Sequence, residues 1–201
     1  LITHEITVSD CKLLILSTIR GLVRESKDVK SEVENFSPEV IALGISPGEL
    51  EDLSNWDGEL FDISSMQEIH GLFLYDLVGK DQVRLPPPSF TTAIELGIKT
   101  ESLDMNEEDF TEAFNKISAW QQFKYSRLHQ KLRSDGLEAK TPESFIMELD
   151  EKICSIAGYA NLEKSKEFHM SERLRNICSS NSKVLAIIDF PRVPGILKAL
   201  E

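Results

Sequence analysis

Cysteine is scarce. The three present, Cys11, Cys154 and Cys178, never stand in a Cys-x-x-Cys spacing. An odd, scattered set excludes a disulfide framework and a zinc knuckle, and is expected to be reduced thiols packed as small apolar groups. Histidine is nearly as sparse: His4, His70, His129 and His169 show no His-x-x-x-His spacing, so no metal site is expected from them. No Gly-x-Gly-x-x-Gly or Walker-type loop occurs, and no serine stands in Gly-x-Ser-x-Gly. A nucleotide-phosphate cradle and a nucleophile elbow are therefore both without support. No apolar run approaches the roughly 20 residues of a membrane span, and no signal-peptide pattern opens the chain.

Positive charge is also in short supply. Against 34 Asp and Glu there are 22 Lys and Arg, a net charge of -12. Such a field repels phosphate backbones, so nucleic acid is not an expected partner. Hydrophobic residues at 41% and charged residues at 28% of 201 are an ordinary globular balance. They imply one domain over 1–201 with a sizeable core. A cytoplasmic location is expected. The first residue is Leu rather than Met, as expected of a piece of a longer or processed chain, whose parent could be membrane-attached elsewhere.

What is present reads as α/β. Residues 2–8 and the apolar run from Cys11 form a β-hairpin with its second strand buried. Arg24 to Phe36 carries Val29, Val33 and Phe36 on one stripe and predicts a helix ended by Ser37-Pro38. Val40 to Ile45 is a buried strand, with Pro47-Gly48 as the turn after it. Pro86-Pro87-Pro88 reads as a stiff spacer, Ser89 to Leu96 as a short helix, and Ile98 to Leu103 as the next strand. A long helical stretch is expected over Glu107 to Arg133, through Phe110, Phe114, Ile117, Trp120 and Phe123. Further helices are expected over Phe145 to Ile156 and over Glu163 to Cys178, the latter amphipathic through Phe168, Leu174 and Ile177. Val184 to Ile188 is the last buried strand. The sum is a small, mixed, mostly parallel sheet flanked by helices. Its strands lie near 2–8, 11–17, 40–45, 98–103 and 183–188, with a helical excursion over 105–180.

Several segments resemble the TraB/PrgY family, which includes the Tiki proteases and is related to ChaN-like and erythromycin-esterase-like proteins. Met170-Ser-Glu-Arg-Leu174, Lys183-Val-Leu-Ala-Ile-Ile188 and Val193-Pro-Gly-Ile196 are similar to the family's closing motif. Lys12 to Arg20 falls where the family has a strand ending in Gly-Thr-x-His. Glu34 to Leu43 resembles its Glu-x-x-x-Pro-Asp-Val-Val-Ala-Val. In the middle, Ala93 to Lys99 and Leu103-Asp104 resemble Ala-x-x-x-Gly-Ala-Lys and Ile-Asp-Arg-Asp. The resemblance implies a metal-dependent peptidase or hydrolase with two Gly-x-x-His motifs and a glutamate.

The departures fall on the chemistry. The first motif reads Ser17-Thr18-Ile19-Arg20 and the second Asp189-Phe190-Pro191-Arg192, so arginine stands at both histidine positions. Gly44 stands for the strand-end glutamate, Lys166 near the family arginine, and Asp104-Met-Asn106 for Asp-Arg-Asp. Arginine is always protonated and has no lone pair to offer a metal or a proton. No catalytic residue, metal ligand or cofactor is therefore expected. Glu49 and Glu51, just past a strand, are the nearest carboxylates that could restore chemistry.

Arg20 and Arg192 both follow carboxyl ends of expected strands, where open α/β sheets place ligands. With Ser17, Thr18 and Asp104 they form a candidate site for a carboxylate or phosphate. In the alternative, each arginine pairs with an internal acid such as Asp104 or Asp189. Lys116 to Arg133, with Lys124, Arg127 and Lys131 among Trp120, Phe123 and Tyr125, is the one basic patch. It reads either as a nucleic-acid or membrane-surface helix or, as preferred, as a helix with an apolar core face and a solvated charged face. Phe61 to Leu77 reads as a partner face or a core helix, with core preferred. Three functions stay open: a catalytically degenerate binding or regulatory module for a small anion or peptide, a hydrolase with an altered site, and a structural module acting through a homodimer or protein partner.

Overall fold

A computed structural model describes residues 1–58 and 65–201. The chain is mixed α/β, with nine helices and one five-stranded sheet among the described residues. β1 (Ile2–Val8) and β2 (Cys11–Thr18) form the expected hairpin, Ile2 pairing with Ser17 and Val8 with Cys11. β3 (Val40–Leu43), β4 (Thr100–Ser102) and β5 (Lys183–Asp189) complete the order β1-β2-β5-β3-β4. The pairs β2–β5, β5–β3 and β3–β4 are all parallel. The last strand of the sequence thus threads the middle of the sheet.

The apolar runs explain the layering. Side chains alternate across a strand, so a strand covered on both faces needs apolar residues at every position. Leu13 and Ile15 of β2, Val40 and Ala42 of β3, and Val184, Ala186 and Ile188 of β5 face one layer. Leu14, Leu16, Ile41, Leu43, Leu185 and Ile187 face the other. The first layer is closed by α8 (Ala157–Cys178) and α9 (Val193–Leu200) through Met170, Leu174, Ile177 and Ile196. The second is closed by α1 (Arg24–Phe36) and α4 (Pro88–Glu95) through Val29, Val33 and Phe90. β4 is short and polar, and β1 is exposed along most of its length, as suits the two edges.

Four local readings change. Pro47-Gly48 opens α2 (Pro47–Ser54) rather than a turn. Ser46 Oγ accepts the Glu49 N–H at 3.1 Å, and Pro47 sits at the first helical position, where its missing N–H costs nothing. The stretch 107–133 is two helices, α5 (Glu107–Phe114) and α6 (Ala119–Asp135). They are separated because Ser118 and Gln121 make a capping box that starts the second one afresh. On α8 the buried stripe is Tyr159, Leu162, Met170, Leu174 and Ile177. Phe168 lies off that stripe and is 65% exposed. The closing segment Val193–Leu200, read only as motif, is a helix.

A third core lies beyond the strand ends. There α3 (Ser65–Val78), α6 and α7 (Pro142–Cys154) bury Leu74, Leu132, Phe145 and Leu149 against Ile19 and Leu22. The expectation for Phe61 to Leu77 begins outside the described residues. From His70 onward it is mainly core, with Leu72 exposed. No described helix is long and apolar enough to cross a membrane. Phe145 is fully buried, with its ring 5.5 Å from His70 and 5.7 Å from Phe73. Phe145→Ala is expected to lose about 3–5 kcal/mol of stability, read as a lower urea midpoint with unchanged slope.

Candidate functional site

Parallel strands send their carboxyl ends to one side, and four segments leave the sheet there. β2 runs into Ile19-Arg20, β3 into Gly44 and α2, β4 into Asp104, and β5 into Asp189 and Arg192. The register places Thr18 opposite Asp189. Arg20 follows directly, and its Nε–H is shared by both Asp189 oxygens at 2.8 and 2.9 Å. One terminal nitrogen of Arg20 donates to Glu49 at 3.0 Å and the other to the Gly44 carbonyl at 3.0 Å. The guanidinium also lies 5.1 Å from the centre of the Phe90 ring. Burial alone would lower its pKa, but Asp189 and Glu49 outweigh burial and push it up.

Arg192 is buried in the 3-10 turn between β5 and α9. It donates to Asp150 of α7 and, at 2.8 Å, to Glu167 of α8; Glu163 lies 3.6 Å away. The backbone of Gly195 lets this happen, because a Cβ there would collide with the Glu167 carboxylate. Lys166, one position before Glu167, pairs with Asp104 at 3.0 Å and approaches Glu163 at 4.0 Å. Burial pushes the carboxyls of Glu49, Glu163 and Glu167 up, each further raised by a neighbouring carboxylate. Burial would lower the Lys166 pKa, but Glu163 and Asp104 hold it up.

Between these groups lies a cavity of about 510 Å³, lined on the charged side by Arg20, Asp189, Asp150, Glu163, Lys166 and Arg192. Its apolar side is Phe110, Ile146, Leu149, Ile153 and Met170. His70 also reaches it. The His70 Nε2 hydrogen-bonds the Arg20 carbonyl at 3.0 Å, and burial lowers the ring's pKa, favouring the neutral form. A second hollow, between α5 and α8, is more open and is lined by solvated groups such as Asp109, Lys116 and Lys164.

Of the residues expected at the site, Arg20, Arg192 and Thr18 share this cavity. Thr18 Oγ donates to the Ile188 carbonyl at 3.3 Å. Ser17 is buried and does not line the cavity; Asp104 joins only through Lys166. Both guanidiniums are paired internally, as in the alternative reading of the sequence. Glu49 is in the network, whereas Glu51 stays exposed. Asp150, Glu163, Glu167 and His70 were not anticipated. The one usable signal was that Glu163, Lys166 and Glu167 fall on the same face of their helix as Leu162, Met170 and Leu174, where apolar residues are expected.

The family's metal does not fit these residues. Arg20 and Arg192 offer no lone pair, and Gly44 offers no side chain. At Gly44 even a Cβ would stand 3.2 Å from the Ile187 carbonyl of β5. Among the described residues no three His, Cys, Asp or Glu are grouped to hold a metal ion. No protein-family model matches the chain, and no curated protein matches it.

Two outcomes follow from the buried charges. Asp189→Asn leaves Arg20 with Glu49 alone and is expected to cost about 2 kcal/mol or more in chemical unfolding. Glu25, the first acid of α1, is 1% exposed and takes the Ile19 N–H on both oxygens, at 2.9 and 3.1 Å. Burial pushes its carboxyl up to about 8 from the usual 4.5. The folded chain thus keeps a proton that the unfolded chain releases. Stability is expected to fall as pH rises from the unfolded to the folded value, by up to about 1.4 kcal/mol per pH unit, then level off. Glu25→Gln should flatten the fall and melt higher than wild type above pH 8, in thermal melts across that range.

Proposed function

We propose that this chain is a catalytically degenerate TraB/PrgY-like domain whose strand-end cavity binds a ligand rather than cleaving one. The observation that carries the reading is the state of Arg20 and Arg192. At the two positions where the resemblance calls for imidazoles, guanidiniums are held by Asp189, Glu49, Asp150 and Glu167. A general base or metal ligand needs a free lone pair, and neither position has one.

The charge count bears on the ligand. Three cations, Arg20, Lys166 and Arg192, meet three acids in the cavity lining, Asp150, Glu163 and Asp189, with Glu49, Asp104 and Glu167 adding an acidic excess in the network behind it. A small anion would have to displace a carboxylate already in place. A peptide presenting a basic side chain or an amino terminus relieves the excess instead, while its apolar part packs on Ile146, Leu149 and Ile153.

The test is a thermal-shift series with Mn²⁺, Co²⁺ and Zn²⁺, run beside Arg- and Lys-containing tripeptides and phosphate. A ligand that binds only the folded state raises the melting temperature. The expected result is a shift with basic tripeptides and none with metals. A stoichiometric metal with a clear shift overturns the reading in favour of a hydrolase. A shift with phosphate alone returns the cavity to an anion site.

A further inference from the structure

The cavity leaves one feature of the sequence unused, the basic stretch on α6. Its buried side is Tyr125, Leu128, His129 and Leu132, all at least partly covered. The opposite side carries Trp120, Phe123, Lys124, Arg127 and Lys131, every one exposed. At 3.6 residues per turn these five fall within roughly 100° of arc, and Trp120, Lys124, Arg127 and Lys131 form one row along the helix. Trp120 is 63% and Phe123 49% exposed, an unusual placement for large aromatics. The two rings stack with centres 5.5 Å apart, and each carries a cation: Lys124 at 5.7 Å from Trp120, Arg127 at 5.8 Å from Phe123.

Two facts separate this face from an ordinary solvated one. Among the described residues no carboxylate forms an ion pair with Lys124, Arg127 or Lys131, although acids outnumber bases 34 to 22 in the chain. The row also borders a hollow of about 750 Å³ that Lys124, Arg127 and Lys131 line together with Leu128 and Ile156. Gln130, Ser134 and Ser155 complete that lining, so three cations and no acid border a hollow with Leu128 and Ile156 in its wall, which matches a partner bearing carboxylates beside apolar residues.

We propose that this face of α6 docks an acidic amphipathic helix of a partner polypeptide. Lys124, Arg127 and Lys131 spread over about 10 Å of helix axis. A second helix lying alongside presents carboxylates at the same three- and four-residue spacing. Its apolar residues then enter the hollow and cover Trp120 and Phe123. The surroundings select a narrow partner over a broad one. Glu148 and Glu151 of α7 share a neighbouring hollow with Lys131. A planar anionic membrane would meet these acids along with the cations, whereas a single helix follows the row of cations alone. The row is rigid before binding, since Tyr125 stacks on Tyr159 of α8 at 4.2 Å and the capping box fixes the start of α6.

The experiment is selection of a displayed library of randomised helical peptides, about four turns long, on the intact chain. The expected binders carry acidic residues at helical spacing beside apolar ones. Their affinity should fall by about tenfold or more on changing Lys124, Arg127 and Lys131 together to Glu, and fall again with added salt. A thermal melt checks that this variant folds, and Trp120→Ala with Phe123→Ala tests the same face without touching charge. The proposal is overturned if no binder emerges, if binders show no acidic bias, or if they bind both variants unchanged. It is also overturned if wild type, but not the Glu variant, is retained by phosphatidylserine vesicles while the peptides fail.

Discussion

Neutralising buried charge at the carboxyl ends of the parallel strands is the constraint on which the rest of this structure depends. Arg20 joins β2 to β5 through Asp189 and to α2 through Glu49. Arg192 joins the end of β5 to α7 through Asp150 and to α8 through Glu167. Lys166 closes the circuit from α8 to the segment after β4. Helices α2, α7 and α8 are thus each tied to the strand ends by a charge pair, and α3 by the third core. Such pairs add little net stability, because each charge gives up hydration to enter. Their effect is on geometry: a guanidinium accepts carboxylates only along its N–H directions, so helices carrying those carboxylates have few acceptable positions.

The same constraint explains which parts of the fold were legible. Strands β2, β3 and β5 are covered on both faces, so they stand out as unbroken apolar runs between polar breaks. Helix α1 was read to the residue because Val29 and Val33 mark its stripe and Ser37-Pro38 stops it. Helix α2 was missed because Pro-Gly is a turn signal unless the preceding residue caps a helix, and only the fold decides that Ser46 does. The exposure of Phe168, Trp120 and Phe123 was missed for a different reason. An apolar residue contributes to periodicity whichever side the core lies on, and the sequence does not mark the side.

The site divides in the same way. Arg20 and Arg192 were visible because each stands a fixed, short distance past the end of an apolar strand, and that spacing is local. Their partners are not local. Asp150, Glu163 and Glu167 are three of 34 acids, separated from Arg192 by 42, 29 and 25 positions in the sequence. What singles them out is that α7 and α8 pack against each other and against the turn bearing Arg192, a consequence of Leu149, Leu162 and Met170 being buried. Packing chosen by apolar residues therefore decides which carboxylates are removed from water, and only then does their charge matter.

Once removed from water, those carboxylates require a positive charge among them. Asp150 pairs with one terminal nitrogen of Arg192, and Glu167 and Glu163 lie at the other; carboxylates held this close without a cation repel one another at low dielectric. A guanidinium answers that need differently from a metal ion. A metal keeps an open coordination position for water or substrate. A guanidinium spends its planar fork of donors on the carboxylates themselves and keeps no open position. Arginine at position 192 thus holds α7 and α8 together while itself offering no lone pair to activate water. The apolar wall of the cavity, Ile146, Leu149 and Ile153, belongs to α7, which Arg192 anchors through Asp150.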